Sequence, residues 1–321
     1  MDRARKPVVT AATRGRAAAG KRLRVPAFAK VNLGLEVLAR RQDGYHELRT
    51  LFQTIDLHDD VELTAGPGEV RVLCDHPLVP EGDGNLAKRA AEALRTYAGT
   101  AAGALIRITK RIPVGGGLGG GSSDAAAVLQ GLDRLWGLGL GPARLRPLAQ
   151  RLGADVPFFL VGGTALGLAR GDEVYPLARQ VKAQVVLVDP GIAISTAAVF
   201  RRLDARLTPR ENSNNIIHFV SRDLEADGGW ESLSNELEQA ALEEAPALAE
   251  QTRRIRGAMI REGARLAALS GSGSTYFGLF DDPHAARRAQ RALVKGGFTA
   301  VLARTLSRDE YRRVWPRPRS R

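Results

Sequence analysis

The chain has 321 residues, 44% hydrophobic and 26% charged, which excludes a disordered polypeptide and leaves room for two domains with sizeable cores. The formal net charge of +12 points toward an anionic partner, yet residues 1–24 hold eight Arg and Lys against Asp2, residues 302–321 hold seven Arg against Asp309 and Glu310, and everything between is balanced. A single cysteine, Cys74, excludes a disulfide framework and a CxxC redox or zinc site, and no uncharged stretch reaches the roughly 18 residues of a membrane span.

Residues 1–24 show no hydrophobic periodicity and read as a disordered basic extension. They lack the apolar core of a secretory signal, and their likeness to an organelle transit peptide is loose, the stretch being short and free of serine. A cytoplasmic protein without membrane association is expected. Ala29, Val31, Leu33, Leu35 and Val37 then alternate with Lys30, Asn32, Gly34 and Glu36, the period of a strand with one buried face. After a turn at Gln42-Asp43-Gly44 the pattern predicts strands over 50–57, 61–64 and 70–74. A helix follows over 85–97, with Asn85 placed to cap it. Residues 104–112 read as strand, 115–121 as a glycine run, and two helices extend to about Trp136 and over 142–152. Beyond the apolar 156–168, the pattern gives a strand over 183–188, a short helix from Ser195 to about Leu203, and mostly helix over 233–262. The remainder alternates strand, glycine turn, strand, helix and strand over 265–306. Runs of strands broken by pairs of helices predict an α+β chain of two domains, divided near 165–182.

Six of the seven residues 115–121 are glycine, between a strand and a helix that begins at about Ser122. Such density suits close approach of backbone N–H groups to an anion, reinforced by the positive end of the helix. Ser122 and Ser123 add hydroxyls where a phosphate or its metal would sit. The Walker A pattern fails, because no lysine lies between Lys110 and Asp124. Gly115, Gly117 and Gly120 satisfy GxGxxG only as any glycine run would, and no strand ending in an acid follows at the Rossmann distance. A triphosphate loop of another kinase class and a flexible linker remain open.

The run Pro113-Val-Gly-Gly-Gly-Leu-Gly-Gly-Gly-Ser-Ser-Asp-Ala-Ala-Ala-Val-Leu129 resembles the ATP-binding motif of the GHMP kinases, the superfamily of galactokinase, homoserine kinase, mevalonate kinase and phosphomevalonate kinase. Ala29-Lys-Val-Asn-Leu33 near the start and Leu269-Ser-Gly-Ser-Gly-Ser-Thr-Tyr-Phe277 near the end fit the same superfamily in the same order. Within it, the stretch 29–53 and the segment Leu152-Gly-Ala-Asp-Val-Pro-Phe-Phe159 are similar to the branch that phosphorylates the 2-hydroxyl of a cytidyl diphosphate sugar alcohol on the non-mevalonate route to isopentenyl diphosphate. The resemblance covers about residues 25–306. It implies a ribosomal protein S5 domain 2-like, ATP-binding domain over 25–178 and a ferredoxin-like substrate domain over 179–307; by their charge, residues 308–321 read as a basic tail.

The residues themselves leave alternatives. Asp155, in the turn Gly153-Ala154-Asp155-Val156-Pro157, can accept a hydroxyl proton or merely end a helix. Lys30, one of seven lysines beside forty arginines, and Asn32 share a strand face that could equally be solvated. Tyr45 and Phe200 offer faces for a cytidine ring and His46 a ring nitrogen, but Tyr45 and His46 could decorate a surface turn and Phe200 could be core. The resemblance makes Lys30 and Asp155 the catalytic pair. It assigns ATP to Pro113, Val114, Gly115, Gly116, Gly117, Leu118, Gly119, Gly120, Gly121, Ser122 and Ser123, with Asn85, Leu86 and Lys110 near the nucleoside. It assigns the cytidyl diphosphate substrate to Asn32, Tyr45, His46 and Phe200, and to Gly271, Ser272 and Gly273 of the second glycine turn, itself otherwise a tight strand-to-strand turn. Mg2+ is expected with ATP, but no spacing marks a dedicated metal site. A monomer or weak homodimer is expected. A homoserine- or mevalonate-type kinase is the alternative. A nucleic-acid binder using the basic ends is the remote one, without an RNP, KH or helix-turn-helix signature. For a kinase, removal of 1–24 and 308–321 should leave activity intact.

Overall fold

The computed structural model describes residues 20–207 and 233–315. Strands β1 (Arg22–Arg40) and β2 (His46–Pro67) form a long antiparallel ribbon around the turn at 41–45. One stretch of β2 pairs with β4 (Ala102–Thr109), the parallel neighbour of β3 (Val70–Cys74). Another pairs with β5 (Thr164–Leu168), which carries the short edge strand β6 (Glu173–Pro176). The two strands expected over 50–57 and 61–64 are thus one, because the charged stretch between them remains paired with β1.

Helices α1 (Leu86–Ala98), α2 (Gly120–Leu135) and α3 (Gly141–Leu152) accompany this sheet and bury Leu94, Ala126, Leu129 and Leu148 in a core with Val61, Leu63 and Ile106 of the strands. Asn85 caps α1 as expected, its side chain accepting from Ala87 N–H, and Gly99 ends the helix in the left-handed region at φ 61°. The second sheet has the antiparallel order β10 (Thr299–Arg304), β7 (Gln184–Asp189), β9 (Tyr276–Phe280), β8 (Leu266–Leu269). Its helices are α4 (Thr196–Asp204), α5 (Leu237–Glu244), α6 (Pro246–Arg261) and α7 (Pro283–Lys295). A third apolar cluster joins the sheets, Val31, Leu33 and Leu51 meeting Leu187, Phe277 and Leu279. The expected α+β architecture is present as two sheets with separate helical layers.

Two expectations about the ends change. Residues 1–19 lie outside the described residues, whereas Arg22–Arg24, assigned to the extension, are the paired start of β1. Residues 308–315, expected as basic tail, contain helix α8 (Arg308–Arg313), opened by a capping box of Ser307 and Glu310. Tyr311 and Trp315 are buried in the first core, and the Tyr311 hydroxyl donates to the Phe159 carbonyl. The arginines of α8 are the solvent side of a packed helix.

Candidate active site

Strand β1 reverses the ordinary logic of a one-faced strand. Its apolar residues face the cores, yet Lys30 and Asn32 on the other face are each only 3% exposed. The solvated-face alternative therefore fails: the polar face is covered by two glycine turns. Lys30 Nζ donates to Asn32 Oδ1 at 2.6 Å and to the Gly117 carbonyl at 2.8 Å, and lies 3.4 Å from Asp155 Oδ2. Asn32 in turn donates to Thr50 Oγ1 at 2.7 Å, so its amide is oriented with the oxygen toward the ammonium. Asp155 sits in the turn after α3, just before the 3-10 turn Phe158–Leu160, with its side chain one-third exposed.

The glycine run lies between this pair and the start of α2. That helix has no side-chain cap; Gly119 precedes it at φ 72°. Its first N–H groups thus open toward the loop, an electropositive end suited to phosphate oxygens. The run also clasps the second unit. The Gly117 carbonyl accepts from Ser270 Oγ at 3.0 Å, and the Gly116 carbonyl from Thr275 N–H at 3.2 Å. A Cβ on Gly117 would lie 2.1 Å from the Ser270 carbonyl oxygen, and its φ of 75° disfavours any side chain. Gly117→Ala is accordingly expected to cost roughly 2–3 kcal/mol and to raise KM for both substrates, whereas Gly115→Ala, at φ 78° in open space, should cost only about 1 kcal/mol. Thermal denaturation with steady-state kinetics on the two variants checks this, equal effects being the contrary result.

Two cavities meet at the loop. One, about 490 Å³, is lined by Asn85, Leu86, Lys110, the glycine run and Asp124. The other, about 650 Å³, is lined by Lys30, Asn32, Tyr45, His46, Asp155, Phe200, Gly271 and Ser272. Gly117, Gly119, Ser122 and Thr196 border both. The structure thus gathers nearly all the sequence-selected residues at these two spaces. Leu118 and Ser123 are exceptions by side chain, being 1% and 2% exposed; Leu118 contributes its carbonyl to Lys30 N–H instead. Gly273 borders neither cavity, but it lies within the turn that clasps Gly117.

Lys110 lines the first cavity with its ammonium bound to Asp59 and, at 2.9 Å, to Asp124. The other oxygen of Asp59 accepts from Arg111 N–H at 2.6 Å and Ile112 N–H at 2.8 Å, which fixes the chain entering the glycine run. Asp124, the fifth residue of α2, ties the far end of the run to the same lysine. Burial opposes the charge on Lys110, but Asp124 and Asp59 outweigh it and raise its pKa. Burial pushes the Asp124 carboxyl up to about 7, and its second oxygen has no partner among the described residues. No group of three or more His, Cys, Asp or Glu able to hold a metal occurs among the described residues.

In the second cavity His46 stacks on Phe200 at 4.6 Å between ring centroids and shares a 2.6 Å hydrogen bond with Asp204. The tip of the second glycine turn is held by Asn235, which donates to the carbonyls of Leu269 at 2.9 Å and Gly271 at 2.6 Å, and Thr196 bonds Ser272 at 2.7 Å. Asp59, Asp124, Thr196, Asp204 and Asn235 were not singled out by the sequence. For Asp124 the place beside Ser122-Ser123 was a usable signal; the others act across long sequence separations that leave no local pattern.

Comparison with known proteins agrees with this geometry. The family of GHMP kinases N terminal domains matches residues 85–163, and that of GHMP kinases C terminal domains matches 221–298. A 4-diphosphocytidyl-2-C-methyl-D-erythritol kinase of Geobacter sp. (strain M21) is 46% identical over 290 residues, covering 89% of this chain and 100% of that protein. One from Geobacillus thermodenitrificans is 40% identical, covering 85% and 93%. A crystal structure of 4-(cytidine 5'-diphospho)-2C-methyl-D-erythritol kinase superposes with a TM-score of 0.69 at 39% identity, covering 88% of this chain and 99% of that one. Homoserine kinase from Cytophaga hutchinsonii, at TM-score 0.70 and 20% identity, shares the fold. With relatives this similar over nearly their whole length, the chain belongs to the 4-diphosphocytidyl-2-C-methyl-D-erythritol kinase family of GHMP kinases.

Proposed function

We propose that this kinase transfers the γ-phosphate of ATP to the 2-hydroxyl of 4-diphosphocytidyl-2-C-methyl-D-erythritol, on the non-mevalonate route to isopentenyl diphosphate. The observation that carries the reading is the junction of two cavities at Lys30 and Asp155, with the glycine run between them. ATP occupies the first cavity as its magnesium complex, the nucleoside near Asn85 and Leu86 and the triphosphate along Pro113–Ser123. The cytidyl end of the acceptor lies near Tyr45, His46 and Phe200, and its diphosphate near the turn at 271–273. The 2-hydroxyl oxygen attacks the γ-phosphorus, the bond to the β,γ-bridging oxygen breaks, and ADP leaves. Asp155 takes the hydroxyl proton, and Lys30 offsets charge on the phosphoryl group in flight. Because Lys30 is buried and anchored by Asn32 and Gly117, it needs little reorganisation during transfer.

A coupled ADP-release assay with the cytidyl acceptor, homoserine and mevalonate in parallel tests the assignment. Turnover of the cytidyl compound at least about 100-fold more efficient than of the others is expected. Comparable use of homoserine or mevalonate would assign the chain a different acceptor on the same fold.

A further inference from the structure

The second cavity contains a cation that the proposed chemistry leaves unused. Arg170 lies in the turn between β5 and β6, and its guanidinium carbon stands 4.6 Å from the centroid of the Tyr45 ring. We propose that Arg170 is a positioning residue for the acceptor: it holds the Tyr45 ring by one face and leaves the other as the platform for the cytosine. The inference rests on reading this cavity as the cytidyl pocket.

The arginine is itself fixed. Its guanidinium donates to Asp172 Oδ2 at 2.6 Å and to the Gln150 carbonyl at 3.3 Å, and Asp172 is buried. The turn that presents it carries Ala169 at φ 57° and Gly171 at φ 91°. Ala169 is the one non-glycine residue with positive φ among the described residues, a conformation kept only where surroundings enforce it. They do so here: Leu48 N–H donates to the Ala169 carbonyl at 2.7 Å, and Gly171 N–H to the Leu168 carbonyl at 2.8 Å. Arg170 therefore reaches the cavity from a turn stitched to β2.

Tyr45 is the more exposed partner. It sits at the tip of the β1–β2 ribbon with 53% of its surface exposed, its backbone held by Asp43 and Arg41. A tyrosine in that position would sample several rotamers and lose that freedom on stacking. A guanidinium over one face selects an orientation beforehand through cation–π attraction. His46 and Phe200 already occupy a face of each other. Tyr45 lines the same cavity, and no other ring is stacked on it among the described residues, so the face away from Arg170 is the one left for a base.

The test is steady-state kinetics on Arg170→Ala, Arg170→Lys, Tyr45→Ala and the Arg170→Ala/Tyr45→Ala pair, with calorimetric binding of cytidine diphosphate as a readout independent of turnover. Arg170→Ala should raise KM for the cytidyl acceptor and weaken cytidine diphosphate about tenfold, with kcat and KM for ATP within about twofold. Arg170→Lys should recover part of that loss, and the paired variant should be no worse than Tyr45→Ala alone. An unchanged acceptor KM, losses spread over kcat and ATP, or losses that multiply in the pair would overturn the proposal. A wild-type enzyme inactive on the cytidyl acceptor would overturn the functional reading beneath it, whereas an active wild type with an indifferent Arg170→Ala overturns this inference alone.

Discussion

Asp155→Asn is expected to lower kcat by about 10³-fold while leaving ATP affinity within about threefold. The substitution keeps size and shape in a turn whose backbone is already fixed, since Val156 N–H bonds Gly153 and Phe158 N–H bonds Asp155. Lys30 retains Asn32 and the Gly117 carbonyl, so the ammonium stays in place when the carboxylate is lost. What disappears is the proposed acceptor for the hydroxyl proton and one negative charge at the junction of the cavities. Single-turnover phosphoryl transfer with pre-bound nucleotide separates this loss from binding, and titration with a fluorescent ATP analogue measures affinity. Combining the change with Lys30→Met should cost less than the product of the two single losses, because both act on one transfer step. Turnover within tenfold of wild type would remove Asp155 from the role proposed for it.

The glycine run and the caps were legible because their meaning is local. A strand, six glycines in seven residues and an alanine-rich helix mark a tight turn into a helix start whatever lies elsewhere, and Asn85 before Leu86 marks another helix start. Strand β1 was legible only by half. Its alternation gave the correct apolar face, but the burial of Lys30 and Asn32 depends on a turn some 240 residues later, where a Cβ on Gly271 would stand 3.4 Å from Lys30 Nζ and 3.2 Å from Asn32 Oδ1. Periodicity reports which residues share a face and says nothing of what covers it. The Asp59 clamp was hidden for the opposite reason. Charged residues over 56–60 look like a loop between strands, whereas β2 runs through them and spends Asp59 on the backbone that begins the glycine run. Strand β6, with a single buried residue and little apolar pattern, gave no signal.

Removal of residues 308–321 is expected to lower stability by about 5 kcal/mol and the melting temperature by more than about 10 °C, the reverse of what a solvated basic tail implies. Truncating one buried aromatic costs about 3–5 kcal/mol, and this deletion removes both Tyr311 and Trp315 from the first core. It also strips Gln180 Oε1 of its bond from Arg308 N–H at 2.9 Å, Phe159 of the Tyr311 hydroxyl, and Arg134 of the Trp315 ring at 4.9 Å. Gly162 is shaped to this contact: a Cβ there would lie 2.2 Å from the Tyr311 ring. The damage reaches the site by a short route. The Phe159 ring lies against Gly119, where an added Cβ would be 2.9 Å from it and 3.2 Å from Lys30 Cε, so loosening Phe159 loosens the start of α2 and the lysine together. Activity should therefore fall along with stability. Replacing the exposed Arg312 and Arg313 by Gln removes charge without packing and should stay within about 0.5 kcal/mol of wild type. Calorimetric scans of the three proteins decide between charge and packing: a truncated enzyme melting with wild type would show that the segment adds nothing to stability, and an Arg312→Gln/Arg313→Gln variant as impaired as the truncation would show that it acts through its arginines.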